Sequence, residues 1–156
     1  MAKSHSYAAT IEWTGNQGDG TADYKAYGRD HTITSGDKPP LLGSADTAFR
    51  GDAARYNPED LMVAAVSSCH MLWYLHLCAT NGIVLTAYRD DAEGTMEMNP
   101  DGSGQFSSIT LHPEVTITDA ALADKARALH EDAHRMCFIA RSVNFPIHHE
   151  AEVVTP

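Results

Sequence analysis

Hydrophobic and polar residues alternate along two stretches near the start of the chain, His5–Thr14 and Tyr24–Thr34. Alternation with a period of two is typical of strands that bury one face. The segment between them, Gly15–Asp23, is rich in Gly, Asn and Asp, which favour turns. The pattern therefore predicts a hairpin. An irregular connection over Gly36–Tyr56 follows, with room for one turn of helix in Ser44–Phe49.

A long apolar helix is predicted next. Asn57 is a good cap, Pro58 suits the first helical position, and the two acidic residues after it favour the positive end of the helix dipole. The helix is expected to run to about Asn81, where Gly82 provides a left-handed stop. Apolar residues surround its whole axis, which predicts a central helix covered on every side. Its two His, two Ser and two Cys favour the core of a globular protein over a bilayer.

The remaining pattern predicts strands, then a helix, then a strand. Two strands are joined by a turn over Asn99–Gly102, Asp119 caps the second helix, and a short helix or kinked extension follows it. The predicted ranges are Ile83–Met98 and Gln105–Thr118 for the strands, Ala121–Met136 for the helix and Asn144–Val154 for the last strand. The element order predicts an α+β fold in which antiparallel sheets pack around central helices.

Composition narrows the classes of partner. The chain has 156 residues, of which 43% are hydrophobic, and this fits a single domain over residues 1–156. The 11 basic and 21 acidic residues give a net charge of −10, which argues against nucleic acid and anionic membranes as partners. The start of the chain has no apolar signal-peptide core, so a cytoplasmic location is expected.

The chain has three cysteines, Cys69, Cys78 and Cys137. Cys78 follows Cys69 by nine residues in the same predicted helix, so the two point to opposite faces about 13 Å apart along the axis. Cys137 lies just past the second helix and is free to approach Cys69. Of the possible pairs, Cys69 with Cys137 is favoured. Burial as small apolar side chains is the alternative interpretation of these cysteines.

Histidine is frequent and suggests a metal site as an alternative. His130 and His134 are four residues apart on one face of the second predicted helix, a usable ligand pair with Cys137 nearby. His70 and His76 are six apart and do not converge. His148 and His149 are expected to alternate across a strand.

Two further residues have both an ordinary and a functional interpretation. Glu59, in the first helical turn, compensates the helix dipole in the ordinary case. Arg29, in the second predicted strand, is ordinarily a cation on the exposed face of an edge strand.

Two segments carry a resemblance to a known family. They read NPEDLMVAAVSSCHMLWYLHLCATNGI and AHRMCFIARSVNFPI. Together they resemble the OsmC/Ohr family of osmotically inducible and organic hydroperoxide resistance proteins. The resemblance implies a cysteine-based thiol peroxidase built as an intertwined homodimer, with two active sites at the subunit interface. It matches Cys69 to the peroxidatic cysteine, Cys137 to the resolving cysteine, and Glu59 with Arg29 to the salt-bridged pair that activates the thiol.

The resemblance also implies the reaction partners. These are an organic hydroperoxide as substrate and an external, lipoyl-linked dithiol as reductant, with no cofactor and no metal. The sequence departs from the common pattern at Phe138, where many members have Pro, and at His70-Met71, where the hydroperoxide-resistance branch tends to have an aromatic residue. Arg50 and Arg55 are alternative activating cations. The apolar residues expected to line the substrate pocket are Leu72, Trp73, Phe138, Ile139 and Phe49.

Helix arithmetic adds an expectation about the subunits. Glu59 precedes Cys69 by ten residues, which is about 15 Å along a straight helix. The Arg29 and Glu59 near a given Cys69 are therefore expected to come at least partly from the partner subunit. A small-ligand-binding or stress-response module of the same fold, with a silent cysteine, is the main alternative function, because a fold does not fix a function.

Overall fold

The computed structural model describes residues 3–156 and has an α+β fold, as the sequence predicts. The chain divides between Leu61 and Met62 into two compact units, residues up to 61 and residues 62–156, which are described separately. The single domain over 1–156 stays a prediction. In the described residues the elements are β1 (Thr10–Trp13), β2 (His31–Thr34), β3 (Leu41–Gly43), α1 (Pro58–Thr80), β4 (Leu85–Asp90), β5 (Glu93–Met98), β6 (Gly104–Leu111), β7 (Pro113–Ile117), α2 (Ala123–Met136), β8 (Ile147–His149) and β9 (Glu152–Val154).

The first unit contains an antiparallel sheet in the order β1-β2-β3. The predicted hairpin is present, but both strands are shorter than expected. Before β2 the two arms are joined by an isolated bridge from Asn16 to Tyr27 and by single hydrogen bonds, such as the bond of 2.8 Å from the Gly28 N–H to the Gly15 carbonyl. The glycine-rich turn thus extends further into the second predicted strand than the alternation indicates.

The irregular connection predicted over Gly36–Tyr56 contains a strand, β3, so that part of the prediction is wrong. β3 pairs with β2 and places Gly43 opposite His31. A Cβ on Gly43 would lie 2.3 Å from Nε2 of His31, so the close approach requires glycine. The predicted helical turn is confirmed as a 3-10 turn over Thr47–Phe49, and the Asp46 carboxylate accepts from the N–H of Ala48 at 2.7 Å.

The long helix α1 begins and ends as predicted. The N–H of Asp60 donates to Oδ1 of Asn57 at 2.7 Å, and the N–H of Asn57 donates to Oδ2 of Asp60 at 3.2 Å, a reciprocal cap. At the other end Gly82 adopts a φ of 72°, and the N–H of Ile83 donates to the Cys78 carbonyl at 2.9 Å. These bonds satisfy backbone groups that the helix ends would otherwise leave unpaired.

The second unit contains two sheets, in the orders β4-β7-β9 and β5-β6-β8. Each of the three strands predicted after α1 divides into two shorter strands, one in each sheet. One corner is held by His112, whose N–H donates to Oδ1 of Asp90 at 2.7 Å. The His112 ring lies 2.9 Å from Glu93 and 3.5 Å from Glu150, which come from the other two corners.

The last strands run parallel to their neighbours, β8 beside β6 and β9 beside β7, whereas the sequence predicts antiparallel sheets throughout. Parallel neighbours need a crossover connection, and α2 provides it. The sheets are therefore mixed.

The core of the second unit consists of two apolar clusters, and α1 contributes to both. Its buried residues recur every four positions and form a single stripe: Val66, His70, Tyr74 and Cys78. In the described chain α1 is thus buried on one face, whereas the sequence predicts cover on every side. Leu72 on another face is 62% exposed. By length and composition α1 could also cross a membrane, with a mean hydropathy of 1.4, a criterion that core helices meet as well.

Candidate active site

Cys69 lies in the middle of α1, outside the buried stripe. Residues three, four and seven positions after it share its face of the helix at about 100° per residue. These residues are Leu72, Trp73 and His76, and they line a shallow pocket. Cys69 is partly exposed. The thiol therefore has access to solvent next to a mainly apolar surface.

Cys137 ends α2 and is 1% exposed. Its backbone turns to an extended conformation with a ψ of 114°, which stops the helix. Its N–H donates to the His134 carbonyl at 3.3 Å, and its Sγ accepts from the N–H of Ala140 at 3.4 Å. The second cysteine is thus held by backbone contacts on both sides.

The structure brings Cys69 and Cys137 together. Their side chains are neighbours in the fold, and both thiols are free. Burial, above all, and the contact with Cys69 raise the pKa of the Cys137 thiol to about 11, against the opposite effect of the Ala140 N–H. Cys137 is therefore a thiol at neutral pH and a poor nucleophile until a neighbouring group takes its proton.

Cys78 belongs to a different part of the core. It is 1% exposed and packs with Tyr74 and Ile83 in the cluster between α1, α2 and β7. Burial raises the pKa of the Cys78 thiol, although a hydrogen bond with Tyr74 partly opposes this. A buried thiol of this kind is unreactive, which agrees with its place in the buried stripe.

Arg29, in the first unit, is held by its own hairpin. Its guanidinium donates to the carbonyls of Tyr27 and Tyr24, the latter at 2.8 Å. It also lies 4.0 Å from the ring centroid of Tyr27 and 4.5 Å from that of Tyr24. Cation–π and backbone contacts thus orient the cation, which has no ion pair within residues 3–156.

Glu59 lies in the first turn of α1 and is partly exposed. The described part of the chain contains no ion pair between Glu59 and Arg29, so their pairing stays a prediction. Of the alternative cations, Arg55 is already bound to Asp30 at 3.3 Å and to Asp52 at 3.6 Å. Arg50 is exposed, with a φ of 64°.

Aromatic residues extend the apolar surface beside the cysteines. Trp73 and Phe138 meet edge to face with ring centroids 5.5 Å apart, and Phe138 is 65% exposed. Ile139 instead packs against the core cluster around Val66. Phe49 belongs to the first unit, where it is half-buried. The exposed part of the surface is therefore formed by Leu72, Trp73 and Phe138.

Comparison with known proteins identifies the family. The profile of the OsmC-like protein family matches residues 51–152. The chain belongs to the OsmC-like family. No curated protein sequence matches it.

Solved structures of similar fold agree with this family assignment. An OsmC-like protein of unknown function from Vibrio cholerae is 28% identical, with a TM-score of 0.86 over 96% of this chain and 100% of that one. An organic hydroperoxide resistance protein from Legionella pneumophila is 16% identical, with a TM-score of 0.70 over 97% and 98%. Another from Elizabethkingia anophelis is 16% identical, with a TM-score of 0.69 over the whole of both chains. The last two show the shared fold.

This OsmC-like chain also contains a histidine cluster that the sequence does not predict. Nε2 of His70 on α1 lies 3.0 Å from Nδ1 of His130 on α2, and the two rings are nearly coplanar, at 7°. His149 on β8 has its ring centroid 5.7 Å from that of His70 and 5.8 Å from that of His134. The prediction that His70 and His76 do not converge is confirmed, because His70 is buried and His76 is exposed.

The two histidines at the centre of the cluster are buried. His70 is 1% exposed and His130 is fully buried. Burial, followed by the proximity of the other histidines, lowers the pKa of His70 to about 4 and that of His130 to about 3. Nε2 of His130 and Nδ1 of His134 are buried without a hydrogen-bond partner. Both central imidazoles are therefore neutral at neutral pH.

The cluster does not form the metal site considered from the sequence. Among residues 3–156, no group of three or more His, Cys, Asp or Glu side chains has a geometry that could hold a metal ion. The set of His130, His134 and Cys137 is thus not assembled in the part of the chain that the structure describes.

A sequence signal for the cluster exists in hindsight. His70 occupies the four-residue stripe of α1, and His130 lies among the buried residues of α2, Ala126, Leu129 and Ala133. A histidine at a core position of each of two helices is a signal for a buried pair. The pairing itself depends on how the helices pack, which the sequence does not specify.

Proposed function

We propose that this OsmC-like protein is a thiol-dependent peroxidase that reduces organic hydroperoxides. The observation that carries the proposal is the proximity of a partly exposed Cys69 to a buried, protonated Cys137. The family and the hydroperoxide resistance proteins of the same fold support this class of reaction. The net charge of −10 suits a neutral organic hydroperoxide better than an anion.

The first step oxidises Cys69. Its thiolate attacks one oxygen of the hydroperoxide, so an S–O bond forms while the O–O bond breaks, and the alkoxide leaves as an alcohol after taking a proton. Cys69 becomes a sulfenic acid. By family resemblance, Arg29 favours the thiolate and Glu59 orients the Arg29 guanidinium, which stays charged and presents a planar set of donors.

The second step forms the disulfide. The sulfur of Cys137 attacks the sulfenic sulfur of Cys69, so an S–S bond forms while the S–O bond breaks. The leaving hydroxide takes the Cys137 proton and departs as water. This proton transfer removes the need for Cys137 to ionise beforehand. An external dithiol, lipoyl-linked by family resemblance, then reduces the disulfide and is itself oxidised to a disulfide.

The protein is proposed to act as an intertwined homodimer in the cytoplasm, without a cofactor. Apolar residues left exposed by the single chain support a partner subunit. They include Leu72 at 62% on α1, and Ile11 at 62% and Leu42 at 50% in the first sheet.

Thiol counting tests the proposed cycle. One equivalent of cumene hydroperoxide added to the reduced protein is expected to remove two thiols per chain, and peptide mass spectrometry is expected to find a Cys69–Cys137 disulfide with Cys78 still free. Unchanged thiols would overturn the proposal in favour of a binding module with unreactive cysteines, and a disulfide that includes Cys78 would contradict the pairing of Cys69 with Cys137.

Replacing the resolving cysteine separates the two steps. The Cys137→Ser variant is expected to consume about two to three equivalents of cumene hydroperoxide and then stop, because its sulfenic acid has no partner and takes up one further oxygen atom to become sulfinic acid or two to become sulfonic acid. Intact-mass measurement checks this as a gain of two or three oxygen atoms. Continued turnover without these products would contradict the role of Cys137.

Mixed dimers test whether the activating pair acts between subunits. A chain with Arg29→Ala is co-expressed with a differently tagged chain with Cys69→Ser, and the mixed dimer is isolated. If Arg29 acts on the partner subunit's Cys69, one of the two sites is intact and about half of the wild-type activity is expected. Both parent homodimers should be inactive, and Arg50→Ala, an exposed arginine of the same unit, should remain active. A mixed dimer as inactive as its parents would contradict action between subunits.

A further inference from the structure

We infer that the hydrogen bond between His70 and His130 is a pH-sensitive joint that holds α2 against α1, and with it Cys137 against Cys69, and that opens in acid. The inference rests on the proposed function only for its consequence in the peroxidase cycle. The joint itself is a property of the packed helices and can be measured without any peroxide.

The position of the joint links it to the cysteines. His70 directly follows Cys69 on α1, and His130 lies two helical turns before Cys137 at the end of α2. The 3.0 Å bond between them is a side-chain hydrogen bond from α1 to α2 inside the core. Movement of α2 away from α1 would therefore expose Cys137 and separate the two sulfur atoms.

The hydrogen bond between His70 and His130 fits two neutral imidazoles. One imidazole donates its N–H and the other accepts with its free nitrogen, so a proton on each ring would set two N–H groups against each other. A single added proton would already place a charge where Nε2 of His130 has no partner. Among residues 3–156, no carboxylate forms an ion pair with either ring to compensate such a charge.

The titratable groups around His70 and His130 do not stabilise a protonated imidazole. Tyr74 of α1 stacks on His130 with centroids 3.8 Å apart, and Tyr88 of β4 lies behind Tyr74. His134 of α2 and His149 of β8 face the pair as further imidazoles. The carboxylate nearest to the cluster, on Glu131, is 76% exposed and contacts His149 at 3.2 Å.

The direction of the pH effect follows from these contacts. In an open state with both rings in water, histidine titrates near its ordinary pKa of about 6.5. In the closed state the pKa values of His70 and His130 are lowered to about 4 and about 3. The closed state is therefore fully favoured above about pH 6.5 and loses stability as the pH falls through the window below it. Two such groups raise the opening constant by roughly two to three orders of magnitude between about pH 7 and pH 5.

The experiment measures the exposure of Cys137. In a Cys69→Ser/Cys78→Ser background, Cys137 is the single thiol and its reaction with 4,4′-dithiodipyridine is followed at pH 7, 6 and 5. Dividing each rate by that of the urea-unfolded protein at the same pH removes the intrinsic pH dependence of the thiol. The ratio is expected to rise by roughly two orders of magnitude or more from pH 7 to pH 5.

Non-titrating replacements identify the groups responsible. In the His70→Gln/His130→Asn variant, amide groups take the positions of Nε2 and Nδ1, and the ratio is expected to change less than threefold. The matched control is His148→Gln, an exposed histidine of β8, which should keep the full pH dependence. Two results would overturn the inference. One is a rate ratio that does not change with pH when both histidines are present, and the other is an unchanged pH dependence in the His70→Gln/His130→Asn variant.

A direct titration keeps the inference testable if the double variant does not fold. The C–H resonances of His70 and His130, followed by NMR in the otherwise unmodified protein, are expected to show no titration near pH 6.5. A midpoint near 6.5 for both would overturn the joint. If the wild-type protein shows no peroxidase activity but Cys137 is still protected in a pH-dependent way, the proposed function is wrong and the inference about the His70–His130 joint still holds.

Discussion

The Cys69→Ser variant is expected to lose hydroperoxide reduction by three orders of magnitude or more, since removal of a catalytic nucleophile typically costs at least about that much. Cys69 is partly exposed and has a second thiol, that of Cys137, as a neighbour. Consumption of cumene hydroperoxide in the presence of a dithiol measures the effect. Circular dichroism and the oligomeric state should match those of the wild type, because the substitution exchanges sulfur for oxygen at a partly exposed position.

The matched control is Cys78→Ser on the same helix. It introduces a hydroxyl into the core next to Tyr74, so a loss of about 1 to 3 kcal/mol in the free energy of unfolding is expected. Activity below the unfolding transition should stay within about twofold of the wild type, because Cys78 lies in the stripe that faces the sheets. An inactive Cys78→Ser variant with an active Cys69→Ser variant would reverse the assignment of the nucleophile.

Organic hydroperoxides are expected to exceed hydrogen peroxide by about two orders of magnitude in kcat/KM. Each CH₂ group of a substrate that is buried gains about 0.8 kcal/mol, and about 1.4 kcal/mol corresponds to a factor of ten. Three or four such groups against Leu72, Trp73 and Phe138 give this preference. The measurement compares cumene hydroperoxide with hydrogen peroxide under the same reductant.

Substitutions on the exposed surface locate the origin of the preference. Phe138→Ala is expected to lower kcat/KM for cumene hydroperoxide about tenfold while hydrogen peroxide is little affected. Leu75→Ala is the control, because Leu75 is also exposed on α1, at 36%, but lies off the face of Cys69. Equal efficiency toward both peroxides in the wild type would contradict the apolar pocket and leave the assignment of Cys69 intact.

The sequence by itself determined the local elements and the choice of cysteines. The Asn57 and Asp60 cap and the left-handed Gly82 fix both ends of α1, since these signals act within a few residues. The nine-residue spacing separates Cys78 from Cys69 in any straight helix. The α+β class follows from the order of these elements, and it is confirmed.

The tertiary structure decided what depends on contacts between distant segments. Alternation predicts three long strands, but each bends at a corner tied by His112 and divides between two sheets. The apolar character of α1 predicts cover on all sides, yet the described chain buries one stripe, because cover on the other faces depends on what else packs there. The His70–His130 bond joins residues that are 60 positions apart. Such pairs are set by the packing of whole helices, which local propensity and periodicity do not encode.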